Sequence, residues 1–263
     1  MSLRLPPASH YEYFSHLFHG GKLIPFNEYQ PMENCAYPEF DLKRFETLFL
    51  TDPSYYLDRN ILDLGCHTGY FSYVTKYLGA RSIHGVNARK QPLDIANYVY
   101  EQLGQDNYTF DQANIEDLDY LASACVGKDT VMMTLILEHL RNPYAILDTI
   151  TNSNVNNLII ESTVFSDEGP AGLQYYKQST ESAFLGHDGN KLEAIGALPN
   201  VAWFEMILYH MGWKIEFHNV THGFNKNWFS VPGLKKFPPM TYKSLIILCK
   251  KFNNTDRKNN YEK

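Results

Sequence analysis

Asp63, Gly65, His67 and Gly69 stand two residues apart in the string D-L-G-C-H-T-G, directly after the apolar run Ile61–Leu64. Glycines let a backbone turn tightly and come close to a ligand, and the first turn of a following helix presents N–H groups with no intrahelical partner. That combination suits a nucleotide-like ligand. It is neither a dinucleotide fingerprint, G-x-G-x-x-G, nor a phosphate loop, because no lysine follows the last glycine. Three further groups fall at strand ends that such a ligand could reach: Asn87, Asn114–Asp117 and Leu135–His139. His139 is a candidate general base, since imidazole titrates near neutrality, and Glu138 beside it is a second candidate. No serine elbow with matching His and Asp occurs, nor a pair of histidines at metal-ligand spacing, so no metal site is expected.

The elements that must hold these groups can be read from periodicity. Ile61–Leu64 is long enough for one buried strand, and Tyr70, Val74, Tyr77 and Leu78 recur at helical spacing up to Gly79. Ser82–Val86, Tyr108–Ala113, Val131–Leu137 and Leu158–Ile160 read as further strands. Pro92 and Asn142-Pro143 open the helices between them. An earlier helix is expected over Phe40–Leu50. Strands alternating with helices make a parallel α/β sheet. The last third departs from this, with a helix capped by Asn200 and then strands at Lys214–Phe217 and Ser244–Cys249. No helical crossover joins those two, so antiparallel pairing is expected.

The D-x-G-x-x-x-G string resembles motif I of the class I S-adenosylmethionine-dependent methyltransferases, usually (D/E)-x-G-x-G-x-G, with His67 where the middle glycine is usual. The likeness extends over residues 58–162. It implies an α/β, Rossmann-like seven-stranded mostly parallel sheet with helices on both faces and the last strand antiparallel. It also implies S-adenosyl-L-methionine as cofactor, its methionine end wrapped by the loop. By position, Asp63, Gly65, Cys66, His67, Gly69, Tyr70, Asn87, Ala88, Asn114, Ile115 and Leu135 would line that donor. Asn87 stands where the family has an acid for the ribose hydroxyls. Asn114 stands where an Asp accepts from the adenine amino group, with Ile115 beside the ring. An amide offers one neutral oxygen in place of two charged ones, which weakens the grip and leaves a modified donor open. Leu-Glu-His-Leu at 137–140 is similar to the segment after the fourth strand in many small-molecule methyltransferases, and weakly to that of tRNA wobble-uridine carboxymethyl-transferring enzymes. Such chemistry needs alignment and exclusion of water more than acid–base help. Aromatic walls serve both, and Tyr11, Phe14, Tyr70, Tyr175, Tyr176 and Trp228 are candidates.

Composition narrows the partners. The 263 residues fit a single domain over 1–250 with a flexible tail at 251–263. A formal charge of −6 argues against a nucleic-acid partner; Lys226, Lys235 and Lys236 form the one visible basic patch. Four scattered cysteines and no leader segment point to a cytoplasmic, reducing setting, and no apolar run is long enough for a membrane span. The aromatic-rich residues 1–57 read as a segment packed on the main domain or as a lid. The long connections 163–199 and 219–242 read as substrate-side inserts. The expectation is methyl transfer to a small organic or metabolite acceptor. An RNA-modifying methyl or carboxymethyl transferase, and a cofactor-binding module without catalysis, are the alternatives.

Overall fold

In the computed structural model, which describes residues 4–7, 10, 14, 18–19, 22–23, 39–177, 195–221 and 243–252, the apolar run ahead of the glycine loop is strand β1 (Asn60–Leu64), buried after its first residue. Backbone contacts group the chain into two compact units, Met1–Asn114 and Ile115–Lys263.

The first unit starts with helix α1 (Glu39–Leu50), whose Phe45, Leu48 and Phe49 are buried while Leu42 is exposed. After β1 come α2 (Tyr70–Tyr77), β2 (Ser82–Asn87), α3 (Lys90–Gln102) and β3 (Tyr108–Gln112). β1, β2 and β3 pair in parallel, Ile61 opposite Ile83 and Ile83 opposite Tyr108. Helix α2 ends as its sequence requires, with Gly79 at a φ of 106° that a residue with a Cβ resists. The high aromatic content has its place here. Phe14, Tyr70, Tyr73 and Tyr100 lie with ring centroids 5.2–6.4 Å apart, and Tyr100 continues the cluster to Tyr108 and Phe110. Phe14 is 2% exposed, and His10 Nδ1 lies 2.7 Å from the Tyr73 hydroxyl, so these two N-terminal residues pack on α2.

The second unit runs α4 (Leu118–Ala124), β4 (Thr130–Thr134), a 3-10 turn at Leu137–His139, α5 (Pro143–Thr151), β5 (Asn157–Val164), β6 (Leu173–Lys177), β7 (Ile195–Pro199), α6 (Val201–His210), β8 (Trp213–Thr221) and β9 (Lys243–Lys251). β4 and β5 are parallel and almost wholly buried. β9 pairs antiparallel with β5 on one side and β8 on the other. β6 and β7 form a separate antiparallel hairpin. The large sheet has seven strands in the order β8-β9-β5-β4-β1-β2-β3, mostly parallel with the last strand reversed.

Side-chain caps fix the helix starts. Asn142 accepts from Ala145 N, Asp117 from Tyr120 N and Asn200 from Trp203 N, each satisfying an N–H left free in a first turn. Lys251 closes the far end of α5, donating to the carbonyls of Thr151 (2.6 Å) and Ser153 (2.8 Å). Several sequence boundaries move. The fourth strand stops at Thr134 and not Leu137, because Leu135 turns to a φ of 54° and the next residues coil into the 3-10 turn. The third helix starts at Lys90 and not Pro92, which a proline in the first turn tolerates because the N–H it lacks has no helical acceptor. The expected inserts also start later, because β5 continues to Val164 and β8 to Thr221. The tail from residue 253, and most of the segments 178–194 and 222–242, lie outside the described residues.

Candidate active site

In the first unit the loop after β1 is held from below by one carbonyl. Gly65 N and Cys66 N both donate to Val86 O, at 2.8 and 3.1 Å, and Gly69 N returns to Cys66 O at 2.8 Å. Gly65, His67 and Gly69 take φ values of 79°, 52° and 80°. His67 therefore adopts the left-handed backbone that a glycine would take freely, at a cost of roughly 1–2 kcal/mol. The three-fold alternation of the loop survives the substitution. His67 retains accessible surface, yet loss of hydration and then the Arg89 guanidinium lower its pKa from 6.5, so the ring is neutral at neutral pH. At Gly69 an added Cβ would lie 3.1 Å from the Phe110 ring and 3.2 Å from Ala96.

Asp63 is fully buried one residue before the end of β1. Its Oδ2 accepts from the Ser72 hydroxyl at 2.5 Å, while Oδ1 has no hydrogen-bond partner. Burial pushes its pKa up to about 7, against the pull of Ser72. An unpaired carboxylate oxygen in the interior is costly, and a donor from a ligand removes that cost. This orphaned oxygen and the shape of the loop together fit the methionine end of S-adenosylmethionine, which carries an ammonium group. Cys66, beside it, donates weakly to His67 O, and burial followed by the Asp63 charge drives its thiol pKa well up. It is no nucleophile.

At the end of β2, Asn87 is buried and its Nδ2 donates to Arg89 O at 3.1 Å. Its oxygen is thus the arm available to accept, and an aspartate here would set a second oxygen against the Arg89 carbonyl. The amide has a local reason. Ala88 is half-buried with its carbonyl taken by Gln112 Nε2, and Asn114, also half-buried, closes the unit. Tyr70, the first residue of α2, is buried among Phe14, Phe45, Phe71 and Tyr73, so it acts here as core.

The second unit carries the remaining predicted residues. Ile115 is buried; Glu116 accepts from Arg141 N at 3.0 Å and pairs with its guanidinium; Asp117 caps α4. Leu135 N donates to Glu161 O at 2.8 Å, which fixes the strained residue at the end of β4. Glu138 is 3% exposed, and its carboxylate accepts from Thr163 Oγ1 (2.9 Å), Thr163 N (3.4 Å) and Ser162 Oγ (3.3 Å). Burial raises its pKa, with His139 and Thr163 pulling the other way. His139 is half-buried, its N–H bound to Ile136 O. The two neighbours therefore separate in kind: Glu138 turns inward onto β5, while His139 is half-buried with its Nδ1 out of reach of solvent.

Two further residues complete this turn, and only one of them was expected from the sequence. Tyr176 Oη donates to Glu138 O at 3.0 Å, and a Cβ added to Gly196 would lie 2.5 Å from the same oxygen. Tyr176 stands in the expected aromatic set, but nothing in A-I-G-A-L-P marks Gly196. Tyr175 is exposed on the same hairpin. Tyr11, Trp228, Lys226, Lys235 and Lys236 lie outside the described residues. Among the described residues no cluster of His, Cys, Asp or Glu could hold a metal ion, and no helix is long and apolar enough to cross a membrane.

A family model described as a methyltransferase domain matches residues 58–196, more than half of the chain. No curated protein sequence gives a significant match. Among solved structures, the N-terminal domain of EvdMO1 with SAH bound superposes with a TM-score of 0.55 at 16% identity, covering 81% of this chain and 80% of that one. An S-adenosylmethionine-dependent methyltransferase of Mesorhizobium loti gives 0.52 at 16%, covering 79% and 97%. Magnesium protoporphyrin IX methyltransferase of Synechocystis PCC 6803 with bound SAM gives 0.52 at 13%, covering 92% and 91%.

Proposed function

Because this chain belongs to the class I S-adenosylmethionine-dependent methyltransferases, we propose that it methylates a small organic acceptor, with His139 as the group that takes the acceptor's proton. In this reading the loop Gly65–Gly69 and the Asp63 carboxylate hold the methionine end of the donor. Asn87 accepts from the ribose, and Asn114, Ile115 and Leu135 border the adenine. The bound sulfonium supplies an already activated methyl group. The chain's own work is then to orient, to exclude water and to accept a proton at an imidazole nitrogen.

The observation that carries the small-acceptor reading is where five cations among the described residues of the second unit go. Arg141 sits on Glu116, Lys243 on Asp167, and Lys214 and Lys250 share Glu216, while Lys251 is spent on two carbonyls. Side chains so engaged do not form a stripe that tracks phosphates. The structures that share the fold include a porphyrin methyltransferase, which supports the same reading.

The test is transfer of a radiolabelled methyl group from S-adenosylmethionine to a panel of phenols, carboxylic acids and amines, with bulk tRNA in parallel. Label in a small acceptor, reduced at least about tenfold by His139→Gln as expected for loss of a general base, supports the proposal. Label in RNA alone overturns it.

A further inference from the structure

The turn that carries His139 is held from three directions, and one of them is the hairpin inserted after β5. From inside, the Glu138 carboxylate takes three donors at the end of β5: Thr163 Oγ1, Thr163 N and Ser162 Oγ. From the strand side, Leu135 N is tied to Glu161 O. From the hairpin, Tyr176 Oη donates to the carbonyl of Glu138, the residue immediately before His139. Gly196, opposite Tyr176 in the hairpin, has no room for a side chain. A Cβ there would lie 2.5 Å from Glu138 O and 2.6 Å from the Tyr176 ring. Glycine at 196 is thus what lets β7 approach the turn and lets Tyr176 reach across to it.

The hairpin is tied to its surroundings at its outer ends. Its outer ends are joined by the Asn200 side chain, buried at 1% exposure, which accepts from Gly172 N (2.9 Å) and Trp203 N (2.9 Å) and donates to Pro170 O (2.7 Å). Phe165 N adds a bond to Pro199 O. One amide therefore caps α6 and pins the hairpin's entry and exit together. The described strands of the hairpin meet the turn at the Glu138 carbonyl.

We propose that Tyr176 and Gly196 are positioning residues that hold the Leu137–His139 turn, so that the hairpin after β5 sets where the His139 imidazole stands towards an acceptor. This rests on the reading of His139 as the acceptor-side base. The donor grip is separate, because Leu135 is fixed by its own bond to β5 and the loop Gly65–Gly69 belongs to the other unit.

The test uses the full chain and needs no acceptor. Imidazole resonances are assigned by the loss of one signal in His139→Gln and then compared between wild type and Tyr176→Phe, which removes the hydroxyl and keeps the ring beside Gly196. The His139 signals are expected to shift or broaden while those of His84, in the other unit, stay. Affinity for S-adenosylhomocysteine, measured by calorimetry, is expected to hold within about twofold, as for sites sharing no partner. Gly196→Ala should move the same His139 signals by pushing the Glu138 carbonyl directly. A lowered melting temperature with the His139 signals in place would mean a merely structural hydrogen bond and overturns the proposal. Unmoved signals in both variants do the same. If His139→Gln leaves methyl transfer unchanged, the base assignment fails, and the spectroscopic result still decides whether the hairpin places the turn.

Discussion

In the proposed donor site, Asp63 is a carboxyl with a strongly displaced protonation equilibrium. Its carboxyl is buried with one oxygen unpaired, and its pKa stands near 7 in place of 3.8. The folded protein therefore binds this proton more tightly than the unfolded chain. The stability it contributes is full below about pH 3.8 and is lost as pH rises through about 7. A ligand cation placed near Oδ1 favours the ionised form, so donor binding must release a proton below that pKa. S-adenosylhomocysteine affinity, measured by calorimetry, should rise between about pH 6 and pH 8, by at most about tenfold per unit as one-proton linkage allows. Asp63→Asn should flatten that rise and bind more weakly at pH 8. A flat profile in the wild type would show that no cationic group of the ligand reaches Asp63.

At the scale of elements, β2 shows how a strand makes room for a loop. Gly85 is buried in β2, and a Cβ there would lie 2.5 Å from the Phe110 ring and 2.9 Å from the Cys66 sulfur. Phe110 in turn lies 3.1 Å from where a Cβ on Gly69 would be, so the ring supports the loop from the side of β3. Gly85→Ala should displace Phe110 and cost about 1–3 kcal/mol, the usual range for overpacking. The measurement is the thermal midpoint, expected to fall by several degrees; an unchanged midpoint would mean the ring has space to yield. This dependence was not visible in S-I-H-G-V-N, where glycine reads as a weak spot in a strand. What could be read was what rests on local pattern. The apolar runs, Asn142 and Asn200 as caps, and Gly79 after α2 all specify their own backbone. What could not be read was what depends on distant partners: Leu135 ending β4 early, Glu138 turned onto Ser162 and Thr163, and Gly196 facing a carbonyl 58 positions earlier in the chain. The site divides in the same way. The loop residues stand out by spacing, whereas the Asn87 amide needs the Arg89 carbonyl in view before it makes sense.

For the whole molecule, charge decides the encounter. A net charge of −6 disfavours long-range attraction to a polyanion, and Arg141, Lys214, Lys243 and Lys250 are each paired with an acid. A fluorescence titration with bulk tRNA should show only weak binding at about 50 mM salt, and little loss on going to about 200 mM, since few phosphates are neutralised. Tight binding that collapses with salt would reverse the reading of the partner.

The position of β9 has a consequence in time. Of the strands in the second unit's part of the sheet, it is the last to leave the ribosome, yet it is the one that lies between β5 and β8. Until Lys243–Lys251 emerges, β8 has no neighbour in the sheet and β5 exposes one bare edge. At about 5–20 residues per second, the 87 residues from Phe165 to Lys251 take roughly 4–17 s to make. Through that interval a nascent chain carries open strand edges of the kind that invite wrong pairing. The three parallel strands of the first unit are by then already synthesised.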